Sequence, residues 1–363
     1  MPEMPEILSK AVAEKASDIL IVPNEPPIIR IDGRIRKLAG HVALPPAESK
    51  RLIYSLLSQS QVAKFEKAGE LDMPLHLPGV TRFRVNVFLQ QKGVACALRP
   101  LASKIPTPKE IGLTPAIVQL ADLPRGLVLM AGPTGSGKTT TLASLVEHIN
   151  TTQKKHIITI EDPIEFVYEN KESIIDQREV GTHTMSFAAA LRSALRENPD
   201  IILVGEMRDL ETIELAIRAA ETGHLCLSTL HTKDAASTID RIVNEFPADQ
   251  QPKVKLSLSG VLCGVVSQAL VPKIGGGRVC AREIMMMNSS IGSLIRDNKI
   301  HQIPGAIQAA RDTGMVAMDQ SLADLVITKQ ITREIAREFS SDLDTLGNIL
   351  TQLAVPEAAE MLA

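Results

Sequence analysis

Aromatic residues are scarce in this sequence, and tryptophan is absent. Phe, Tyr and Trp together make up 2% of its 363 residues. Single-stranded nucleic acids bind proteins largely by stacking their bases on exposed aromatic rings, so this composition disfavours a nucleic-acid partner. An excess of one charge is absent too, because 39 basic residues balance 42 acidic ones for a formal net charge of −3. No basic surface for a polyanion is therefore expected.

Cysteine is rare, and its spacing lacks the pattern of a structural zinc site. None of the four cysteines belongs to a C-x-x-C pair, which is a common arrangement of zinc ligands. Each lies in an apolar stretch, so we expect small buried side chains in a reducing compartment. The four are Cys96, Cys226, Cys263 and Cys280.

No apolar stretch is long enough to cross a membrane. Gly126–Ala131 and Val261–Val271 are the most apolar segments, whereas a bilayer-spanning helix needs roughly 20 residues. The chain begins Met-Pro-Glu, without the basic and then apolar pattern of a secretion signal. We therefore expect a cytoplasmic protein without a transmembrane segment, one that could still dock on a membrane-bound machine.

Proline content divides the chain into two predicted domains. Four prolines lie between positions 100 and 115, and they predict a stiff linker there. Residues 1–99 mix helix and strand patterns, which is typical of a small α+β domain. Within it, the dipeptide Asp32-Gly33 predicts a hairpin turn, and Ala47–Ser58 is expected to form a helix.

Residues 116–363 alternate short apolar strands with helices, which is typical of a parallel sheet. Gly275–Gly277 predicts a tight turn after a further strand-like segment, and the chain from Ser289 onward is predicted to be helical. The predicted strands are Leu127–Met130, His156–Ile160, Ile201–Val204 and Leu225–Leu230, and the predicted helices are Lys138–Asn150, Phe187–Glu197 and Thr212–Thr222.

A glycine-rich segment between a predicted strand and a predicted helix carries the most specific signal. It fits the pattern G-x-x-x-x-G-K-[ST]. Its glycines let backbone N–H groups surround a phosphate, and the helix that begins there adds its positive dipole end. Lys138 is expected to bind the β- and γ-phosphates of ATP, and the Thr139 hydroxyl a Mg²⁺ ion. The predicted nucleotide-binding residues are Gly132, Pro133, Thr134, Gly135, Ser136, Gly137, Lys138, Thr139 and Thr140.

Acidic residues follow two of the predicted strands. Glu161 directly follows the predicted strand His156–Ile160. Glu206 follows the predicted strand Ile201–Val204, separated from it by Gly205. Because the carboxyl ends of parallel strands meet at one edge of a sheet, both should point toward the nucleotide. One is expected to activate water and the other to hold Mg²⁺, and the residues alone do not assign which. Gly205 occupies the usual place of a metal-holding Asp, so a nucleotide-sensing scaffold with negligible turnover stays an alternative.

Histidines and arginines supply further candidates. His224 and His231 flank the strand Leu225–Leu230, and either could donate a hydrogen bond to the γ-phosphate. His231 follows the strand, at the end shared with the other candidates. Phosphoryl transfer also needs positive charge, which an arginine often supplies in trans. The arginine candidates are Arg82, Arg84 and Arg99 in the first domain, and Arg192, Arg196 and Arg208 in the second.

Four segments together resemble one known family. They read GPTGSGKTTTLA, ITIEDPIEF, NPDIILVGEMRD and AAETGHLCLSTLHT. In this order they are similar to the Walker A motif, the Asp box, an atypical Walker B motif and the His box of the type II/type IV secretion ATPases. That family lacks the Walker B Asp, which accounts for Gly205. Its catalytic carboxylates match Glu161 and Glu206.

The resemblance implies a PAS-like N-terminal domain followed by a RecA-like P-loop ATPase domain with a mainly parallel sheet and a helical C-terminus. It implies a homohexameric ring in which Arg82, Arg84 and Arg99 complete the nucleotide site. Within the family, the compact first domain without a zinc motif resembles the pilus retraction ATPases. These use ATP to depolymerise pili for twitching motility through an inner-membrane platform protein.

One segment departs from the retraction type. Retraction ATPases carry an AIRNLIRE-type motif, whereas this chain reads SIGSLIRD over residues 290–297. The following run HQIPGAIQAARDTGMVAMDQSL again resembles that type. An accessory retraction ATPase or another member of the secretion family is therefore an alternative. A DNA-translocating RecA-like motor is a more distant one, which the composition disfavours.

Overall fold

The computed structural model describes residues 3–31, 33–101 and 104–359. These divide into two compact units. The first contains the residues up to Lys104 together with Glu165–Val167, and the second contains the rest. Asp32 of the predicted hairpin lies outside the described residues. Its neighbour Gly33 has a φ of +77°, the left-handed conformation that such a turn requires.

The first unit is built on an antiparallel sheet whose described strands follow the order β3-β2-β1-β6-β5-β4. Side chains alternate along β5, so the two faces of the sheet differ. Phe83, Val85 and Val87 are buried in the core of this unit on one face, and Arg82 and Arg84 lie on the other. Its elements are α1 (Met4–Ala13), β1 (Asp18–Ile21), β2 (Ile28–Ile31), β3 (Arg34–Lys37), α2 (Pro46–Tyr54), α3 (Gln59–Ala68), β4 (Glu70–Leu77), β5 (Thr81–Gln90) and β6 (Gly93–Pro100).

The expected single helix over Ala47–Ser58 is wrong in its C-terminal part. Helix α2 ends at Tyr54, and Ser58 begins α3 as its N-cap. The Ser58 hydroxyl accepts from the Gln61 N–H, and the Gln61 side chain accepts from the Ser58 N–H. This reciprocal capping box satisfies two backbone donors at the start of a helix. The Ser-x-x-Gln spacing was therefore the signal for α3.

The second unit is built on a mixed, mainly parallel sheet in the order β13-β12-β7-β11-β10-β8-β9. Its strands pair in parallel except β12 with β13, which form an antiparallel hairpin. The carboxyl ends of β7, β11, β10 and β8 consequently meet at one edge. The strands are β7 (Gly126–Ala131), β8 (His156–Glu161), β9 (Ile174–Glu179), β10 (Ile201–Val204), β11 (Leu225–Leu230), β12 (Leu262–Pro272) and β13 (Arg278–Met286).

Helices cover both faces of this sheet, which is why its strands are apolar throughout. On β7, Val128 packs in a core with Leu142 and Leu145 of α5, whereas Leu127 and Leu129 pack in a second core with α6 to α10. The helices are α4 (Pro115–Gln119), α5 (Lys138–Thr152), α6 (Phe187–Ala194), α7 (Leu210–Glu221), α8 (Ala235–Asn244), α9 (Gln251–Val261), α10 (Ser289–Arg296), α11 (Ile303–Ala309), α12 (Met318–Ile327), α13 (Arg333–Phe339) and α14 (Leu343–Ala359).

The sequence predicted this sheet incompletely. Edge strand β9 was not predicted, because its Asp, Gln, Arg and Glu residues hide the apolar pattern that indicates a strand. Among its first residues, only Ile175 is buried. The turn over Gly275–Gly277 is confirmed. All three glycines have positive φ, and the Lys273 N–H donates to the Gly277 carbonyl to close the β12–β13 hairpin.

Two of the four cysteines are buried as predicted, and two are not. Cys96 and Cys226 are inaccessible to solvent, and burial raises the pKa of each thiol to about 12. Cys263 and Cys280 are partly exposed, so the prediction of uniform burial is wrong for them. Within the described part of the chain, no helix combines the length and the apolar character that crossing a membrane requires.

Candidate active site

The glycine-rich loop lies between β7 and α5, at the carboxyl end of a parallel strand. Gly132, Gly135 and Gly137 have φ of +141°, +80° and +93°, values that residues with a side chain rarely adopt. Gly137 directly precedes α5. Backbone N–H groups of the loop and of the first helical turn therefore meet at the positive end of the helix dipole, which suits a phosphate chain.

Close packing against β12 fixes the start of this loop. A Cβ atom at Gly132 would lie 2.5 Å from the Gln268 carbonyl oxygen and 2.5 Å from Ser136 Oγ, so only glycine fits. The Gln268 side chain, which is 2% exposed, donates a 2.9 Å hydrogen bond to Thr141 Oγ1 of α5. Strand β12 thus packs against the loop and supports it. The sequence did not reveal this contact, because Gly132 and Gln268 are 136 positions apart.

Lys138 lies against the start of the loop. Its Nζ donates to the carbonyl oxygens of Gly132 at 2.6 Å and Pro133 at 3.1 Å, and the residue is 7% exposed. Thr139 and Thr140 occupy the same first turn of α5 and are partly buried. The loop, the ammonium and these hydroxyls form one continuous surface of the kind that binds nucleotide phosphates.

Polar contacts cross four neighbouring strand ends in the order of the strands. After β7, Thr134 Oγ1 is 3.5 Å from Nδ1 of His231, which follows β11. The other ring nitrogen, Nε2, is 3.3 Å from Oε1 of Glu206, which follows β10. Oε2 of Glu206 accepts a 2.8 Å hydrogen bond from Arg208 Nε. Arg208 in turn lies 4.0 Å from a carboxylate oxygen of Asp162, which follows β8.

The absence of an acidic side chain at position 205 has a steric reason. A Cβ at Gly205 would lie 3.1 Å from the Ile160 carbonyl oxygen and 3.4 Å from the Glu161 Cα. Its backbone is held on both sides, because the Gly205 N–H donates to Ile160 and its carbonyl accepts from Thr229 Oγ1 at 2.7 Å. Even a Cβ atom would therefore require a shift of a few tenths of an ångström in the Ile160–Glu161 backbone.

Glu161 is the last residue of β8 and is 8% exposed. Its Oε1 accepts hydrogen bonds from Thr159 Oγ1 at 2.6 Å and Gln177 Nε2 at 3.1 Å. Thr159 pairs with Leu203, which belongs to the core on the α5 side, and Glu161 shares its face. The carboxylate therefore lies on the same side of the sheet as the helix that begins at Lys138.

The structure separates the two candidate histidines by a strand length. His231 follows the carboxyl end of β11, whereas His224 precedes its amino end. The His224 Nδ1 lies 3.0 Å from the Ala219 carbonyl and 3.2 Å from Thr222 Oγ1, at the end of α7. A six-residue strand spans roughly 20 Å, so within one chain His224 lies at the edge opposite the loop.

The candidate arginines of the first unit occupy one face of its sheet. Arg84 pairs directly with Arg99 across β5 and β6, and Arg82 is two residues along. Arg99 makes a 2.8 Å ion pair with Asp18. Burial alone would raise the pKa of Asp18, but hydrogen bonds from Arg99 and Ser17 lower it below its usual range. Among the described residues, the Arg82 and Arg84 side chains contact no hydrogen-bonding or ionic partner.

A family model described as type II/IV secretion system protein matches residues 2–338. The chain belongs to this family. The family prediction from the four motifs is thereby confirmed.

The pilus retraction relatives match along most of their length. The type IV pilus retraction ATPase PilT of Pseudomonas aeruginosa is 49% identical over 339 residues, covering 93% of this chain and 97% of PilT. The type IV pilus ATPase PilU of the same organism is 36% identical over 335 residues, covering 92% and 87%. A crystal structure of the pilus retraction motor PilT with bound ADP superposes with a TM-score of 0.91 at 48% identity, covering 96% of this chain and 100% of the other.

Proposed function

We propose that this chain is a motor ATPase that retracts type IV pili, coupling ATP hydrolysis to pilus disassembly and twitching motility. The observation that carries this proposal is the extent of the similarity to PilT. It covers 97% of that protein at 49% identity, including both the phosphate loop and the first unit. A shared ATPase core alone would match the second unit and leave the first unmatched.

The loop between β7 and α5 binds the phosphates of ATP. Its backbone N–H groups and the α5 dipole attract the negative charge, and Lys138 turns from the Gly132 and Pro133 carbonyls toward the β- and γ-phosphates. The oxygen donors Thr139, Glu161 and Glu206 suit Mg²⁺, which prefers hard oxygen ligands and keeps several waters beside the substrate phosphates. Bound Mg²⁺ would neutralise charge on those phosphates.

Glu206 and Glu161 divide the remaining work. Glu206 is held beside His231, and His231 is held beside the loop residue Thr134. These contacts support a role for Glu206 in accepting a proton from the attacking water and for His231 in donating to the γ-phosphate. Glu161, on the α5 side of the sheet, would help to hold Mg²⁺ when the ion is bound.

Six copies form the working ring, with the first unit as a PAS-like domain joined through residues 100–115. Arg82, Arg84 and Arg99 supply positive charge to the γ-phosphate of a site, because their shared sheet face presents three guanidinium groups together. The ring associates peripherally with the inner membrane by binding the platform protein of the pilus machine. The support for this assembly is the similarity to the secretion ATPases.

Deleting the gene in its own organism tests the function. The mutant should keep surface pili but lose twitching motility, and the wild-type gene should restore it. The Lys138→Ala variant should fail to restore motility, because the loop loses its phosphate-binding cation. Lys154→Ala is the matched control, since Lys154 lies on an exposed loop of the same unit. Cells without pili would instead indicate an assembly role.

A second candidate function is that of an accessory retraction ATPase. The observation favouring it is helix α10, whose sequence Ser290–Arg296 departs from the usual retraction motif. Expression in a strain that lacks all its retraction ATPases separates the two. A primary motor restores twitching alone, whereas an accessory one restores it only together with another retraction ATPase.

A further inference from the structure

Both oxygens of the Glu206 carboxylate are held by side chains. His231 contacts Oε1, and the Arg208 guanidinium donates to Oε2 through Nε at 2.8 Å. The Glu206 side chain is 19% exposed and that of Arg208 is 58% exposed. The assignment of Glu206 as the base uses His231 but leaves Arg208 without a role.

The segment that carries these two side chains is fixed at two points. Between them, Met207 is buried in the core, and its N–H donates to the Thr229 carbonyl of β11. After them, Asp209 caps α7 by accepting from the Thr212 N–H at 2.9 Å. Because Met207 points inward, Glu206 and Arg208 both point outward, toward the same edge.

We infer that Arg208 is a positioning residue for ATP hydrolysis, whose guanidinium holds the Glu206 carboxylate in its orientation toward His231. Asp162 at the end of β8 lies 4.0 Å from the same guanidinium, within ion-pair distance. Arg208 thereby links the Asp box to the Walker B segment. This inference rests on the proposed ATPase function and adds a residue to it.

The contribution of Arg208 is to orientation rather than to folding. An exposed ion pair contributes little to stability, because solvent screens it. Orientation of a catalytic group has a larger effect on rate, and loss of an outer-shell partner typically lowers activity about 10- to 100-fold. Removing Arg208 should therefore lower kcat while leaving the fold, and the phosphate loop, unchanged.

Steady-state ATP hydrolysis by the purified full-length protein tests this role. Arg208→Gln should lower kcat about tenfold with little change in KM, and Arg208→Lys should recover part of the loss because it keeps the charge. Arg241→Gln is the matched control, since Arg241 is 57% exposed and pairs with Glu245 on α8. It should hydrolyse ATP at the wild-type rate.

Three further measurements distinguish positioning from a structural effect. The affinity for a fluorescent ADP analogue and the ring mass should be the same in Arg208→Gln and wild type. Millimolar guanidinium chloride should raise the rate of Arg208→Ala but not of Arg241→Ala. An unchanged or raised kcat in Arg208→Gln, or a loss confined to KM, would overturn the inference while the proposed function stands. Absence of hydrolysis by the wild type would instead refute the function itself.

Discussion

The Glu283 carboxylate accepts a 2.7 Å hydrogen bond from the backbone N–H of Ala235, the first residue of α8. Helix α8 begins four positions after His231, so a buried acid on β13 anchors the helix that follows the His231 segment. Glu283 is 7% exposed. Burial, with the nearby charges of Asp234 and Asp319 adding to it, raises the pKa of Glu283 from 4.5 to about 7.

Stability should consequently depend on pH through Glu283. Between about pH 4.5 and 7 the folded chain keeps a proton that the unfolded chain has released. The free energy of unfolding therefore falls as pH rises through this window, by about 3 kcal/mol in total, and this term is constant above it. In Glu283→Gln this term disappears, so the variant should melt at a higher temperature than wild type at pH 8 and near it at pH 5.

The control for this prediction is Glu172→Gln, which removes an exposed carboxylate in the same unit. Its melting temperature should follow that of wild type at both pH values. A difference between Glu283→Gln and wild type that stays constant from pH 5 to 8 would contradict the raised pKa.

Arg282, next to Glu283 on β13, secures the segment that leads into the second unit. Its NH1 and NH2 groups donate to the carbonyls of Gly112 and Ile111 at 2.9 and 2.8 Å, and the residue is 9% exposed. A hydrogen bond with a charged donor contributes about 1.5–3 kcal/mol. Arg282→Ala should therefore lower the melting temperature and speed proteolytic cleavage between residues 105 and 112, as measured by mass spectrometry.

Arg278→Ala serves as the control, because Arg278 is exposed at the start of the same strand. It should leave both measurements near the wild-type values. If Arg282→Ala resists protease as well as wild type does, the anchoring role of Arg282 is wrong.

Arg82 and Arg84 should affect turnover more than nucleotide binding. An arginine that acts on the γ-phosphate typically raises kcat by about a thousandfold or more. Replacing either one with Ala should lower kcat steeply with an unchanged affinity for an ADP analogue. Arg36→Ala is the matched control, since Arg36 is an exposed arginine of the same unit, paired with Glu14.

Mixing variants tests whether the arginine acts in trans. Rings assembled from Arg84→Ala and Lys138→Ala subunits should regain hydrolysis, because some sites then combine an intact loop with an intact neighbouring arginine. Mixed rings that stay inactive, or single variants that lose binding and turnover equally, would count against this role.

The sequence predicted those parts of the site that short segments encode. The loop from Gly132 to Thr139 and the acids after β8 and β10 follow from residues adjacent in the chain, and the parallel sheet brings the strand ends together. Contacts between distant segments escaped prediction: Gln268 behind Gly132, Glu283 at α8, and Arg208 beside Asp162. No local pattern encodes these pairs, because packing of the folded sheet creates them.

The errors in the predicted fold have related causes. Helix α3 was not predicted, although its capping box is local, and the expected helix over Ala47–Ser58 extended into the turn before it. Strand β9 was missed because its residues are mainly polar, and only pairing with β8 establishes it. The sequence kept both His224 and His231 as candidates, with His231 at the end shared with the acidic residues, and the direction of β11 assigns the two histidines to opposite edges.

At the shared strand edge, Glu206 should act as the base for ATP hydrolysis. Phosphate release from purified wild type and Glu206→Gln at saturating Mg-ATP tests it most directly. Wild type should release phosphate continuously, and Glu206→Gln should bind the nucleotide with the same affinity but hydrolyse it at least about 100-fold more slowly. Hydrolysis by Glu206→Gln at the wild-type rate would exclude Glu206 as the base.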